Sequence, residues 1–85
     1  MAYSVQIPGR VQKALARIHP TDQARIVSAL DALALNPRPP GAQPIKTEPG
    51  RLRVRAGDYR IVYEVDDAAS EVRIVRIEHR SEVYR

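Results

Sequence analysis

The fourteen residues Arg51-Leu52-Arg53-Val54-Arg55-Ala56-Gly57-Asp58-Tyr59-Arg60-Ile61-Val62-Tyr63-Glu64 decide the fold. Leu52 and Val54 alternate with Arg51, Arg53 and Arg55, and Tyr59, Ile61 and Tyr63 alternate with Arg60, Val62 and Glu64. That period of two predicts a pair of strands, each with one apolar face. A two-residue Gly57-Asp58 turn of type II′ joins them, because glycine accepts the positive φ that such a turn demands. The turn fixes the register: Ala56 opposite Tyr59, Arg55 opposite Arg60, Val54 opposite Ile61, Arg53 opposite Val62, Leu52 opposite Tyr63 and Arg51 opposite Glu64. One face of the hairpin is then apolar, and the other gathers Arg51, Arg53, Arg55 and Arg60.

Working outward, Asp66 to Ser70 reads as a second turn and Glu71 to Ile77 as a third strand. The alternation slips between Ile74 and Val75, which predicts either a bulge or a strand buried on both faces. Upstream, Tyr3, Val5 and Ile7 alternate with Ser4 and Gln6 as a short strand, stopped by Pro8-Gly9. Val11, Ala14, Leu15 and Ile18 then recur at helical spacing, and His19-Pro20 ends that helix. Thr21 is the expected N-cap of a second helix, whose stripe is Ile26, Val27, Leu30 and Leu33 and whose end is Asn36-Pro37. Pro37 to Pro49 holds five prolines and reads as an ordered loop. The expectation is one domain over residues 1–85, α+β in class. Its order is β-α-α-β-β-β, an antiparallel sheet with the helical hairpin packed on one face.

With 85 residues the margin of stability is thin. There is no cysteine, and His19 and His79 lie far apart, so neither a disulfide nor a metal is expected to help. The N-terminal residues lack the apolar run of a signal peptide and no stretch is long enough to span a bilayer, which points to the cytosol. A net charge of +4 favours a polyanionic partner.

Arg55 opposite Arg60 costs roughly a few tenths of a kcal/mol, so a sequence shaped only for folding would more readily carry an acid there. The plainer alternative is a half-wet sheet whose arginines pair with Glu64, Glu71 and Glu78. Four arginines on one face with little acid between them favour a phosphate-binding surface, since the guanidinium fork matches phosphate oxygens. Such a face also suits a phosphorane-like transition state. In the tail, Glu78-His79-Arg80-Ser81-Glu82-Val83-Tyr84-Arg85, His79 and Tyr84 are candidates for proton transfer and Arg80 for charge stabilisation.

The hairpin from Arg51 to Glu64, taken with Val-Arg-Ile-Glu78-His-Arg-Ser-Glu-Val-Tyr84, resembles the RelE branch of the RelE/ParE toxin superfamily. The upstream strand, helical hairpin and proline-rich loop are similar as well. The resemblance implies a toxin of a type II toxin–antitoxin system that cleaves mRNA in the ribosomal A site. In that chemistry the ribose 2′-OH attacks the adjacent phosphate without a metal or other cofactor. It implies basic residues at Arg51 and Arg53, a phosphate-binding arginine at Arg60 and a tyrosine at Tyr84 that helps activate the 2′-OH. His79 or Arg80 would supply the tail's acid or charge, with Glu78 an alternative occupant of that place. The implied partners are a cognate antitoxin, whose complex with the toxin binds operator DNA, and the ribosome with its mRNA. A ParE-like gyrase inhibitor, a non-catalytic basic nucleic-acid-binding module and an inactive toxin are the competing readings.

Overall fold

The computed structural model describes residues 2–83. Its elements are β1 (Ser4–Gln6), α1 (Gly9–Ala16), α2 (Pro20–Leu35), β2 (Gln43–Pro44), β3 (Leu52–Ala56), β4 (Tyr59–Asp66), β5 (Glu71–His79) and α3 (Arg80–Val83). The five strands form one sheet in the order β1-β5-β4-β3-β2. The α+β class and the helical hairpin over a sheet match the reading of the sequence. Direction differs at one edge: β1 runs parallel to β5, while β5, β4, β3 and β2 are antiparallel neighbours. Apolar alternation reports which face is buried and carries no information on strand direction.

The hairpin register agrees residue for residue from Leu52–Tyr63 to Ala56–Tyr59. Gly57 has φ +63°, and Asp58 is not among the residues of positive φ, the pattern of a type II′ turn. The slip in β5 is a bulge. Val62 pairs with Arg76 and Tyr63 with Ile74, so Val75 is left over, and its carbonyl accepts a hydrogen bond from Arg10 Nη2 at 3.1 Å. That extra residue turns Ile74 and Ile77 to the same face, opposite Tyr63 and Ile61, and sends Arg76 and Glu78 to the other.

The core lies between the helices and one face of the sheet. Val11 of α1 and Ile26, Leu30 and Leu33 of α2 pack with Ala56, Ile61, Tyr63, Val72 and Ile74. Each fully buried Ile, Leu or Val contributes about 1.5–3 kcal/mol relative to an exposed one, which makes this cluster the dominant stabilising feature. Val27, expected in the α2 stripe, is 44% exposed. The proline-rich loop is pinned at its start by the buried Tyr63 hydroxyl, which donates to the Pro37 carbonyl at 2.8 Å. Within that loop Gln43–Pro44 pairs with β3 as a short edge strand.

Two helix starts depart from expectation in the same way. At α2 the N-cap is His19, not Thr21: its Nδ1 accepts from the Thr21 N–H at 3.2 Å, and Pro20 takes the first helical position, where a missing N–H costs nothing. At α3, which the sequence left as a tail, His79 Nδ1 accepts from the Ser81 N–H at 3.1 Å. No described helix is long and apolar enough to cross a membrane.

Candidate nucleic-acid interface

Side chains on the outer face of the sheet follow directly from the ladder. Arg55, Arg60 and Glu78 form one cross-strand row, and Arg53, Val62 and Arg76 form the next. Val62 is fully buried yet stands outside the core cluster, as its position on this outer face requires. Arg51 lies just before β3, with its Nε 3.2 Å from Glu64 Oε2.

The expectation of little interleaved acid is corrected here. Glu78 Oε2 accepts from Arg60 Nε at 2.7 Å, and its other oxygen accepts from Arg76 Nε. Glu48, from the proline-rich loop, accepts from Arg76 Nη1 at 2.7 Å and Nη2 at 2.5 Å, and from Arg51 Nη1 at 2.9 Å. The result is a chain of alternating charge, Glu64–Arg51–Glu48–Arg76–Glu78–Arg60. Glu71 pairs instead with Arg73, at 3.2 Å. Hydrogen bonds from Arg76 and then Arg51 pull the Glu48 carboxyl from 4.5 down to about 2. Burial works to raise Glu78, but the bonds from Arg60 and Arg76 outweigh it and hold that carboxyl low. Arg76 and Arg51 are raised in turn, each chiefly by its bond to Glu48. Glu48, Glu78, Arg51 and Arg76 are therefore charged near neutral pH.

Beyond this network the hairpin end opens into a cleft of about 510 Å³, lined by Arg53, Arg55, Arg60 and Arg80 with Tyr59, Val83 and the Gly57-Asp58 turn. Arg53 is steadied by Gln43 Oε1, 2.9 Å from its Nη2. Arg80 arrives from the other side, because its backbone N–H donates to the Asp58 carbonyl at 2.8 Å and so seats α3 against the turn. The structure thus brings Arg53, Arg55, Arg60 and Arg80 together and leaves Arg51 to the ion-pair network.

His79 faces the other way. It pairs across the ladder with Tyr59, and the two rings meet edge to face at 5.0 Å and 82°. Its Nδ1 is engaged by Ser81. Tyr84 lies outside the described residues. Glu48 and Arg76 are the participants that sequence reasoning missed. Arg76 was within reach, since a bulge at Val75 places it beside Arg60. The pairing of Glu48 with Arg51 is local, three residues on, but its pairing with Arg76 gives no local signal, because that partner lies 28 residues away. Among the described residues, no group of three or more His, Cys, Asp or Glu is placed to hold a metal ion.

A small α+β fold of this kind is found in a known class of protein. The family described as ParE toxin of type II toxin-antitoxin system, parDE, matches residues 5–84, and the chain belongs to that family, within the RelE/ParE superfamily. It is 32% identical over 87 residues to Toxin RelG of Mycobacterium tuberculosis (strain ATCC 25618 / H37Rv), covering 100% of this chain and 99% of that protein. Among solved structures it resembles the toxin–antitoxin complex RelBE2 of Mycobacterium tuberculosis, with TM-score 0.83, 28% identity and coverage of 95% of this chain and 94% of that one. It also resembles the archaeal RelE–RelB complex of Pyrococcus horikoshii OT3, with TM-score 0.82, 27% identity and coverage of 94% and 97%.

Proposed function

We propose that this toxin is a ribosome-dependent mRNA endonuclease working by metal-independent attack of a ribose 2′-OH on the adjacent phosphate. The observation that carries the reading is the cleft where Arg53, Arg55, Arg60 and Arg80 converge. Four guanidinium groups around one opening suit the charge that builds on a phosphate as a fifth oxygen joins it. In this reading the 2′ oxygen forms a bond to phosphorus and the bond to the 5′ oxygen breaks, leaving a 2′,3′-cyclic phosphate and a 5′-OH. Tyr84, next in the chain after the lining residue Val83, takes the 2′ proton, with the arginines favouring its phenolate form. Water protonates the departing 5′ oxygen. His79 acts as a positioning residue, holding α3 and therefore Arg80. Most of the acceleration comes from alignment and from fixed cations, with the ribosome completing the alignment of the mRNA.

The partners in this reading are the translating ribosome with its mRNA and, by likeness to the RelE–RelB complexes, a cognate antitoxin, all in the cytosol. An acidic antitoxin helix would complement the basic face, and the pair would bind operator DNA. Primer extension on mRNA in a translating extract tests the activity. Cuts placed by codon position are expected; no cuts, together with blocked supercoiling by gyrase, would replace this reading with a ParE-like one. That second reading draws on the ion pairs of Arg51, Arg60 and Arg76 with Glu48, Glu64 and Glu78, which reduce the cationic charge of the outer face.

A further inference from the structure

Glu78 occupies an unusual place for an acid. Its two carboxylate oxygens are divided between two arginines: Oε2 accepts from Arg60 Nε across the β4–β5 ladder, and Oε1 accepts from Arg76 Nε two residues back on the same strand. A phosphodiester presents two non-bridging oxygens that meet a pair of guanidinium groups in the same fashion. Arg76 does not depend on Glu78 for its orientation, because Glu48 holds both of its terminal nitrogens. Removing the Glu78 carboxylate would leave Arg76 fixed, with its Nε edge free, beside Arg60. The side chains of Arg60, Glu78 and Arg76 are 23%, 19% and 32% exposed, so solvent and ligand reach them without unfolding the sheet.

We propose that Arg60 and Arg76 form a phosphate subsite in which Glu78 is the resident anion, and that an RNA phosphate binds there by displacing it. The choice of RNA rests on the function proposed above; the subsite itself rests on the geometry. Glu78 then sets the affinity threshold of this subsite. In free toxin its carboxylate satisfies Arg60 and disfavours casual binding of polyanions. A phosphate delivered in register, at the high effective concentration of a positioned substrate, competes it away. Like-charge repulsion between Glu78 and the arriving phosphate adds to that discrimination.

The test is binding, kept separate from cleavage by using a single-stranded RNA oligonucleotide fully 2′-O-methylated, which has no nucleophile. Glu78→Gln keeps the shape of the side chain and removes its charge. The expected result is about tenfold tighter binding than wild type and a steeper fall of log K with log salt, by about 0.7 for one added phosphate contact. The double variant Glu78→Gln with Arg60→Gln should lose the gain. Unchanged or weaker binding by Glu78→Gln would overturn the proposal, since a purely positioning acid predicts weakening. Should Glu78→Gln fail to fold, inorganic phosphate titrated into 15N-labelled wild-type chain gives the same decision. Phosphate must shift the Arg60 and Arg76 Nε–Hε resonances at lower concentration than those of Arg73, and equal response in all three overturns the subsite. Absence of mRNA cutting would overturn the function proposed above and leave this binding result standing.

Discussion

The backbone N–H of Arg80 donates to the carbonyl oxygen of Asp58 across 2.8 Å, fastening the first residue of α3 to the second residue of the β3–β4 turn. One bond thereby joins the two halves of the cationic cleft, the hairpin that carries Arg53, Arg55 and Arg60 and the tail that carries Arg80. The turn therefore positions the cleft as well as connecting the two strands.

Gly57 should be the sensitive position of that turn. Its φ of +63° suits glycine, and a Cβ there would also sit 3.2 Å from Arg25 Nη1. The arginine tip can move aside, so the backbone conformation sets the cost. Gly57→Ala should lose about 1–2 kcal/mol in urea denaturation. A loss near zero would mean that the turn relaxes, and the seating of Arg80 against Asp58 would then need re-examination by amide exchange.

His79 gives a way to separate holding from chemistry. An N-cap is worth about 0.5–2 kcal/mol to its helix, and asparagine caps well while carrying no titratable group. Any mRNA cutting should fall about tenfold in His79→Ala, about 1.4 kcal/mol, and recover most of the way in His79→Asn. Equal loss in both variants would give the imidazole a direct part in proton transfer.

Tyr63→Phe removes only the hydroxyl that reaches the Pro37 carbonyl. The aromatic ring stays in the core, so the change isolates one hydrogen bond and the unsatisfied acceptor it leaves, about 1–3 kcal/mol. In a chain of this size that corresponds to a fall in Tm of at least about 4 °C by calorimetry.

Acid should weaken the fold through the network on the outer face. The Glu48 carboxyl is held at about 2 in the folded chain against 4.5 ordinarily, and Glu78 is also held low. A depressed folded value means the contribution is complete above pH 4.5 and is lost as pH falls through about 2. Thermal melts from pH 6 to pH 2 should show Tm dropping across this window, and Glu48→Gln should flatten the drop. An identical acid slope in Glu48→Gln would remove Glu48 from the account.

The hairpin was fully legible in the sequence because a two-residue turn leaves one register, and every pair from Leu52–Tyr63 to Ala56–Tyr59 followed from it. The slip at Val75 was visible too, although only the ladder shows that it is a bulge. That bulge decides which tail residue joins Arg60: with it, Glu78 lies on the arginine face and His79 on the helix face. The pairing of Glu48 with Arg76 was illegible, since an ion pair between a proline-rich loop and a distant strand leaves no mark on local periodicity. The direction of β1 and the capping roles of His19 and His79 were hidden for the same reason, each being fixed by geometry that spacing alone does not encode.

The central claim is that the arginine cleft promotes attack by a ribose 2′-OH. The most direct measurement takes an mRNA whose cut site has been located by primer extension and replaces the single ribose on the 5′ side of that bond with 2′-deoxyribose. Translation of this message with wild-type toxin should leave that bond intact while cuts at unmodified sites persist, each with a 5′-OH end, and Arg60→Ala should cut none of them. Cleavage at the deoxy position by wild-type toxin would contradict the account.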